Sequence, residues 1–175
     1  MDSSQLETTK WAYVALGSNL GDSARTVQQV IERLREFSTE PILISSRWQT
    51  APVDCPPGSP PFVNAVVGFA PTSGETPESL LKKLQSLENE FGRKPKAEMN
   101  EPRPLDLDLI AFGDEQRNSP ELILPHPRAH QRRFVLQPLT EIAADLVLPG
   151  QSATVAKLLA QLAPDHSVTK MSGTG

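Results

Sequence analysis

The sequence predicts an α+β fold, in which an antiparallel β-sheet packs against α-helices. Four segments resemble strands through alternation of apolar and polar residues or through β-branched and aromatic residues, and two longer segments carry apolar residues at helical spacing. These segments follow one another in the order strand–helix–strand–strand–helix–strand. That order is typical of the ferredoxin-like arrangement, in which two helices cover one face of a four-stranded antiparallel sheet. We therefore expect a ferredoxin-like βαββαβ core followed by C-terminal additions.

The first strand and the first helix occupy the N-terminal part of the chain. The strand is WAYVAL (11–16), and the sequence GSNLGD follows it. GSNLG matches neither GxxxxGK[ST] nor GxGxxG, so we interpret it as a tight turn into a helix rather than as a phosphate-binding loop. Asp22 or Ser23 caps this helix. Its apolar residues at helical spacing are Val27, Val30, Ile31 and Leu34.

Three further segments complete the predicted sheet. ILISSRWQT (42–50) alternates between apolar and polar residues well enough to predict the second strand. FVNAVVGFA (62–70) is β-branched and aromatic, which predicts the third. LDLDLIAF (105–112) alternates strictly at its start and predicts the fourth.

The second core helix is marked by its start and stop signals. Thr76 stands at the cap position, Pro77 at the first helical position, and Gly92 at the end. Its apolar stripe consists of Leu80, Leu81, Leu84, Leu87 and Phe91. Beyond the fourth strand, a proline-bounded segment, ELILPHP, precedes two more helices around 134–145 and 152–162.

The length of the chain fits one domain. A chain of 175 residues buries roughly 70% of its extended surface on folding, so it can form a substantial core. We expect a single domain over 1–175 with a core from about 11 to 163. The polar ends, 1–9 and 167–175, are predicted to be disordered tails.

Composition excludes several classes of partner. The net charge of −4 argues against a surface built to bind nucleic acid. A single cysteine excludes an internal disulfide and a cysteine-based zinc site. No apolar run approaches the roughly 18 residues of a membrane span, and the first ten residues carry no apolar signal segment. We therefore expect a cytoplasmic protein that contacts neither membrane nor nucleic acid. We also expect a monomer, although composition does not bear on oligomeric state.

The stretch EPRPLDLDLI (101–110) places two carboxylates in a run of leucines. Asp106 and Asp108 are two residues apart on a strand, so their side chains project from the same face. One interpretation is simple alternation on a half-exposed strand. The other is that the pair binds one or two Mg²⁺ ions shared with phosphate oxygens. Arg103, held extended between two prolines, favours the second, because phosphoryl transfer depends on positioned positive charge.

Several histidines, arginines and phenylalanines each allow more than one interpretation. His126 and His130 are four residues apart, but prolines flank His126 and no third nitrogen or sulfur ligand is evident, which disfavours zinc. PRAHQRR forms either a local anion site or a solvated helix face. Its arginines are Arg128, Arg132 and Arg133. Phe62 and Phe134 suit either the core or an aromatic stacking site.

Several motifs together resemble a known enzyme family. They are VALGSNLGD, FVNAVV, GR at 92–93, PRPLDLDLIAFG and LPHPRAHQRRFVLQPLTEIAADLVLP, and they extend from about Tyr13 to Leu162. They resemble 6-hydroxymethyl-7,8-dihydropterin pyrophosphokinase of folate biosynthesis. The resemblance implies a ferredoxin-like core and a requirement for Mg²⁺. It also implies transfer of pyrophosphate from ATP to the hydroxymethyl group of 6-hydroxymethyl-7,8-dihydropterin, with release of AMP.

The resemblance also assigns the phosphate-binding half of a site. It implies that Asp106 and Asp108 hold two Mg²⁺ ions between the ATP phosphates. It implies that Arg93 and Arg103 are catalytic residues that flank a mobile loop and contact the phosphates during transfer. The residues that it places against ATP are Gln85, on the adenine side, His126 and Arg132.

The pterin-binding half is assigned in the same way. Phe62 and Phe134 match the aromatic pair that sandwiches the pterin ring, and Asn64 matches the side chain that binds its amide edge. Thr50 and Val53 match positions whose backbone contacts the rest of that edge. Such a slot is chemically reasonable, because a flat neutral ring packs well between two aromatic faces.

One stretch departs from the family pattern RWGPR. Here the matching residues read MNEPR, so Asn100 replaces the aromatic residue and Glu101 replaces a glycine. The polar segment 93–103 has no apolar periodicity. We therefore expect it to be mobile without ligands and to close over ATP and pterin, held more by its cationic residues and the metals than by an aromatic contact.

Two other functions compete with this interpretation. A non-catalytic ferredoxin-like module would bind metal and nucleotide without turnover. A Mg²⁺-dependent phosphohydrolase or nuclease could use the same two aspartates, but it would need a water-activating base nearby, and the sequence offers no clear one.

Overall fold

The computed structural model describes residues 10–19, 22–51, 61–92 and 105–171. It confirms the mixed α/β architecture with an antiparallel sheet. The strands are β1 Ala12–Ser18, β2 Leu43–Ile44, β3 Trp48–Thr50, β4 Phe62–Phe69, β5 Asp106–Phe112, β6 Arg117–Asn118, β7 Ile123–Leu124 and β8 Val168–Lys170. The α-helices are α1 Ser23–Leu34, α2 Pro77–Glu90, α3 Arg133–Ala143 and α4 Val155–Gln161.

The main sheet contains six strands, so the expected four-stranded sheet is wrong. Its strand order is β5-β1-β4-β3-β8, β2 pairs with another part of β4, and all pairs are antiparallel. The predicted second strand divides into β2 and β3 around a pair of serines. Ser45 exchanges bonds with Val66: its N–H donates to the carbonyl over 3.0 Å, and its Oγ accepts the Val66 N–H over 2.9 Å. The serine side chain thus replaces regular ladder bonding at this point.

The sixth strand corrects the predicted C-terminal tail. Residues 167–171 were expected to be disordered, but β8 pairs with β3, with Val168 opposite Thr50. The Ala51 N–H donates to the Ser167 carbonyl over 2.9 Å, which extends the pairing by one bond. Val168 is buried. Backbone pairing and one buried side chain therefore order this short segment. The segments 1–9 and 172–175 lie outside the described residues.

Helix signals in the sequence act as predicted. The Asp22 carboxylate caps α1 by accepting the Arg25 N–H over 3.2 Å. At the start of α2, the Thr76 Oγ1 accepts the Ser79 N–H, and the Ser79 Oγ accepts the Thr76 N–H, which forms a capping box. The four apolar residues predicted for α1 are all buried. None of the described helices combines the length and the apolar character that crossing a bilayer requires.

Helices cover both faces of the sheet. Along β1, Val14 and Leu16 pack into one cluster with α1 and α2, whereas Tyr13 and Ala15 pack into a second cluster with α3 and α4. This alternation follows from the two-residue period of a strand. The additions beyond β5 therefore form a second helical layer, and the candidate site lies on the sheet face that this layer covers.

Candidate active site

A cavity of about 430 Å³ opens where β1 and β3 end and β4 and β5 begin. Its size is typical of a pocket for a small molecule. The residues that line it are Ala15, Leu16, Gly17, Thr50, Ala51, Phe62, Asn64, Asp106, Asp108, Gln131, Arg132, Arg133, Phe134, Asp165, Ser167 and Val168. Acidic, basic, amide and aromatic side chains thus meet in one place.

The two aspartates of β5 both line this cavity. In the sheet, Asp106 lies opposite Gly17 and Asp108 opposite Ala15 of β1. The intervening leucines, by contrast, are buried under α1 and α2. The alternation read from LDLDL thus produces a carboxylate pair on the cavity side of the strand, with a continuous apolar core behind it.

The carboxylate pair suits Mg²⁺ shared with a ligand. In the part of the chain that the structure describes, no group of three or more His, Cys, Asp or Glu side chains is placed to hold a metal ion. Magnesium is commonly bound through one or two carboxylates, with phosphate oxygens and water completing its coordination, so a pair is sufficient. The chemistry of this pair therefore fits Mg²⁺ brought in with a phosphate ligand better than a permanently bound structural metal.

A buried glutamate supports the strand that carries the aspartates. The Glu88 Oε2 on α2 accepts the Leu107 N–H over 2.8 Å, and Leu107 stands between Asp106 and Asp108. Glu88 was not among the residues predicted for the site. Its position offers a signal nonetheless, because it falls on the apolar stripe of α2, one residue after the buried Leu87.

An amide and a hydroxyl form a polar pair at the opposite side of the cavity. The Asn64 Nδ2 on β4 donates to the Thr50 Oγ1 on β3 over 2.5 Å, and Asn64 is buried. The Asn64 carboxamide can bind a ligand edge once it is fixed in this way.

Gly17 joins the two halves of the cavity. It lies between Asp106 and Asn64 in the sheet, each of them on a neighbouring strand. Two strand spacings separate the aspartate and the asparagine, a distance of about 10 Å. A Cβ atom at Gly17 would lie 3.3 Å from the Asn64 Oδ1, closer than ordinary packing allows. The missing side chain therefore leaves room for the amide and opens the space between the two halves.

The two predicted aromatic residues also line the cavity. Phe62 begins β4, and Phe134 is the second residue of α3. The Arg132 guanidinium lies 5.5 Å from the centre of the Phe134 ring, in a cation–π contact. Phe134 and Arg132 thus present an aromatic face and a positive charge from the same helix start.

His126 lies near Asp108 but is not among the residues that line the cavity. Burial lowers the pKa of its imidazole below the ordinary value. Arg132 and Arg128 also lower it, whereas Asp108 acts in the opposite direction. The Nδ1 atom accepts the Arg128 N–H over 3.2 Å, which leaves the proton of the neutral ring on Nε2. This bond occupies Nδ1 and gives the His126–His130 zinc interpretation no support.

Other predicted residues stand apart from the cavity or outside the described ranges. Gln85 is exposed on α2 and does not line the cavity. Val53, Arg93 and Arg103, and also Asn100 and Glu101 of the loop discussed above, lie outside the described residues. The C-terminal residues Asp165, Ser167 and Val168 line the cavity although the sequence predicted no role for them. No sequence signal could have found them, because a three-residue strand shows no periodicity.

The sequence of this chain is similar to those of known proteins over most of its length. Residues 13–144 match the family described as 7,8-dihydro-6-hydroxymethylpterin-pyrophosphokinase. A 2-amino-4-hydroxy-6-hydroxymethyldihydropteridine pyrophosphokinase of Haemophilus influenzae is 38% identical over 161 residues, covering 91% of this chain and 97% of that protein. The Folic acid synthesis protein fol1 of Pneumocystis carinii is 35% identical over 156 residues, covering 89% of this chain but 20% of that protein.

Solved structures share the fold. The wild-type HPPK-DHPS of Plasmodium falciparum superposes with a TM-score of 0.65 at 13% identity, over 88% of this chain and 45% of that chain. At this identity the likeness concerns the fold alone, and this chain spans less than half of the crystallised one. The sequence matches are stronger, since one relative aligns over almost its whole length. They confirm the resemblance that the motifs indicated, and the chain belongs to the 7,8-dihydro-6-hydroxymethylpterin-pyrophosphokinase family.

Proposed function

We propose that the cavity between β1, β3, β4 and β5 is the active site of this pyrophosphokinase of folate biosynthesis. The reaction transfers pyrophosphate from ATP to the hydroxymethyl group of 6-hydroxymethyl-7,8-dihydropterin. The observation that carries the proposal is the co-location of two unlike chemistries. A carboxylate pair and an aromatic–amide slot line one cavity of about 430 Å³, as a site for a nucleotide and a flat heterocycle requires.

The pterin occupies the half formed by β3, β4 and the start of α3. Its flat ring stacks between Phe62 and Phe134, and its amide edge bonds to Asn64. Support comes from the position of all three side chains on the cavity wall and from the bond that fixes Asn64 to Thr50. The backbone of Thr50 and Val53 contacts the remaining edge. A buried amide gives selectivity, because a ligand without the matching group leaves it unpaired.

The ATP phosphates occupy the half formed by β5, next to Arg132 at the cap position that precedes α3. Asp106 and Asp108 hold two Mg²⁺ ions there, which supply charge neutralisation for the phosphates when bound. Arg132 adds positive charge from the cavity wall. The His126 Nε2–H is available as a donor to a phosphate oxygen, because Nδ1 is already an acceptor. The family resemblance assigns Gln85 to the adenine side, although Gln85 lies on α2 and does not line the cavity.

The chemistry is an in-line displacement at the β-phosphorus of ATP. The hydroxymethyl oxygen gives up its proton to water and forms a bond to that phosphorus. The bond from the phosphorus to the oxygen that bridges to the α-phosphate breaks, and AMP leaves with that oxygen. The side chains of this chain act by orienting the two substrates and by opposing negative charge. Arg93 and Arg103 contact the phosphates during transfer and are the catalytic arginines of the proposal.

The test is the identity of the nucleotide product. The chain is incubated with ATP, Mg²⁺ and 6-hydroxymethyl-7,8-dihydropterin, and nucleotides are separated by chromatography. AMP and the pterin diphosphate should appear in equal amounts, and neither should form without pterin or with excess chelator. Release of ADP or phosphate would indicate a phosphohydrolase instead. Binding of both ligands without any product would indicate a non-catalytic binding module.

We also propose a single domain, a monomer and a cytoplasmic location. The core from β1 to β5 is taken as a ferredoxin-like unit, to which β2, β8, α3 and α4 are added. Six of the eight described strands form one sheet with helices on both faces, which supports one domain. Analytical ultracentrifugation of the purified chain would report its mass in solution. Imaging of a fluorescently tagged copy would report its location.

A further inference from the structure

The C-terminal segment 162–171 forms a wall of the cavity. Asp165, Ser167 and Val168 line it, beside Thr50 and Ala51 of the neighbouring strand end. The segment is attached there by the bond from the Ala51 N–H to the Ser167 carbonyl and by the pairing of β8 with β3. The position of this wall therefore decides how wide the cavity is next to Thr50.

Arg133 fastens the start of this segment to α3. Its Nη2 donates to the Ala163 carbonyl over 2.9 Å and to the Leu162 carbonyl over 3.4 Å, and its Nη1 donates to the Gln137 Oε1 over 3.3 Å. The Nε atom is buried and has no hydrogen-bond partner among the described residues, so packing also holds the side chain in place. One guanidinium thus joins two carbonyls that follow α4 to the first turn of α3.

The same helix start shapes the aromatic slot. Arg133 lines the cavity and directly precedes Phe134, while the segment that it holds carries Asp165. The Asp165 carboxylate accepts the Ser167 N–H over 2.9 Å and the Ser167 Oγ–H over 2.6 Å, which closes a tight turn. One short segment, 162–168, therefore contains both the carbonyls that bond to Arg133 and the residues that line the cavity wall. Its own hydrogen bonds stabilise its turn.

The sheet order separates this wall from the aspartates. In the order β5-β1-β4-β3-β8, the strand of Asp106 and Asp108 lies at one edge and β8 lies at the other. A change in the wall next to β3 should therefore act on the half of the cavity that contains Thr50 and Asn64. The metal and phosphate half should be affected far less.

We propose that Arg133 is a positioning residue for the pterin half of the active site. By holding the Leu162 and Ala163 carbonyls, it fixes the C-terminal wall against Thr50 and Ala51 and so sets the width of the pterin slot. The inference rests on the proposed function and adds to it a residue that acts through the segment it holds. A purely structural role would lower stability without distinguishing between the two ligands.

The test compares Arg133→Gln with the wild type and with Arg35→Gln, which removes an exposed arginine far from the cavity. Affinity for 6-hydroxymethylpterin is measured by fluorescence with saturating Mg²⁺ and a non-hydrolysable ATP analogue. Affinity for the analogue is measured separately. Arg133→Gln should weaken pterin binding about tenfold, raise KM for the pterin and leave kcat and analogue binding within about twofold of the wild type. Amide exchange at Ala51 and Met171 should become faster.

A control variant and a second Arg133 variant distinguish a specific effect on pterin binding from a general effect on the protein. Arg35→Gln should match the wild type in every measurement. Arg133→Lys keeps the charge but cannot bond two carbonyls and Gln137 together, so it should fall between the wild type and Arg133→Gln. If Arg133→Gln does not fold, the same measurements on Arg133→Lys test the inference. Unchanged pterin affinity, or equal losses for both ligands, would overturn the inference. A wild type that binds no pterin would overturn the proposed function itself.

Discussion

Leu107 donates its backbone N–H to the Glu88 carboxylate over 2.8 Å, at the point of β5 that separates Asp106 from Asp108. This N–H is bonded to Glu88 instead of to β1, the one strand that neighbours β5 in the described sheet, so without Glu88 it would need another acceptor. A side chain of α2 thus completes the bonding of the strand that carries the two aspartates. The geometry of the carboxylate pair therefore depends on a helix on the opposite face of the sheet.

Glu88→Ala should destabilise the fold and impair turnover together. It leaves the Leu107 N–H without its acceptor in a buried place, which costs about 1–3 kcal/mol of unfolding free energy. A small displacement of the aspartates should also lower kcat about tenfold or more. Urea unfolding and steady-state kinetics measure the two effects. Glu88→Gln keeps an acceptor oxygen and should lose less of both, and the exposed Asn89→Ala should lose neither. Full activity in Glu88→Ala would show that the positions of Asp106 and Asp108 do not depend on Glu88.

Asp106→Ala and Asp108→Ala should each abolish turnover while the chain stays folded. Both side chains face the cavity rather than the leucine side of β5, so packing is retained. Loss of one carboxylate should reduce kcat by at least about a hundredfold at saturating Mg²⁺. Asp114→Ala, at an exposed residue just past the same strand, is the matched control. Near-normal turnover in either variant would remove the metal assignment, and unfolding would assign the carboxylates a structural role.

Asn64→Ala should weaken pterin binding by about tenfold to a hundredfold and leave ATP binding nearly unchanged. The amide lies on the cavity wall and is fixed by Thr50. Thr50→Val removes the oxygen that orients the amide, so it should have a smaller effect in the same direction. The double variant should lose less than the sum of the two single losses, because the residues act as a unit. Titration of each ligand, with the other site saturated, measures this. Equal losses for both ligands would indicate damage to the whole fold.

Gly17→Ala should act on the same amide from the neighbouring strand. The new methyl group would lie 3.3 Å from the Asn64 Oδ1, so the amide must shift by a few tenths of an ångström. We expect pterin affinity to fall several-fold, about as much as a misplaced hydrogen bond costs, with little change in the thermal midpoint. ATP-analogue binding serves as the internal control. Unchanged pterin affinity would show that the asparagine tolerates the shift.

Glu141→Gln should reduce stability at neutral pH but not in acid. Burial raises the pKa of the Glu141 carboxylate, but hydrogen bonds from Trp48, Ser46 and Lys170 outweigh burial and hold the pKa below its ordinary value of 4.5. Such a group contributes stability that is fully present above the unfolded pKa and is lost as pH falls through the folded pKa. The difference between wild type and variant should therefore narrow below about pH 4.5.

Urea unfolding at stepwise lower pH measures this difference. Glu121→Gln, at an exposed glutamate, is the control. A constant difference between Glu141→Gln and the wild type across the pH range would mean that the charge of Glu141 contributes nothing.

Much of the fold could be predicted because its signals are local. The cap at Asp22, the buried stripe of α1 and the alternation in β5 all depend on residues close in sequence. The break between β2 and β3 could not be predicted, because it depends on the bond from Val66 to the Ser45 side chain, more than twenty positions away. The order of 167–171 depends likewise on β3, since three residues of strand carry no pattern of their own.

The residues of the candidate site likewise divide into those that nearby sequence indicates and those whose role depends on contacts with distant residues. Asp106 and Asp108 could be identified because they interrupt an apolar strand, whereas Asn64 was assigned by the family resemblance; all three line one cavity. Glu88 resembled one more acid in the run SLENE, although its place on the apolar stripe indicates burial. In the sequence, Arg133 belongs to a basic run that suits either an anion site or a solvated helix face. Its bond to a carbonyl thirty residues away, which distinguishes it from Arg132, is not visible there.

Glu88 also affects how readily the β5 edge of the sheet can pair with a strand of another molecule. Exposed edge strands offer unpaired N–H groups to strands of other molecules, which is a common route to aggregation. Here the Glu88 carboxylate already accepts the Leu107 N–H, and Asp106 and Asp108 place two negative charges on either side. An incoming strand would have to displace one carboxylate and approach two others. These three carboxylates therefore make the β5 edge a poor template for β-sheet growth between copies of the chain.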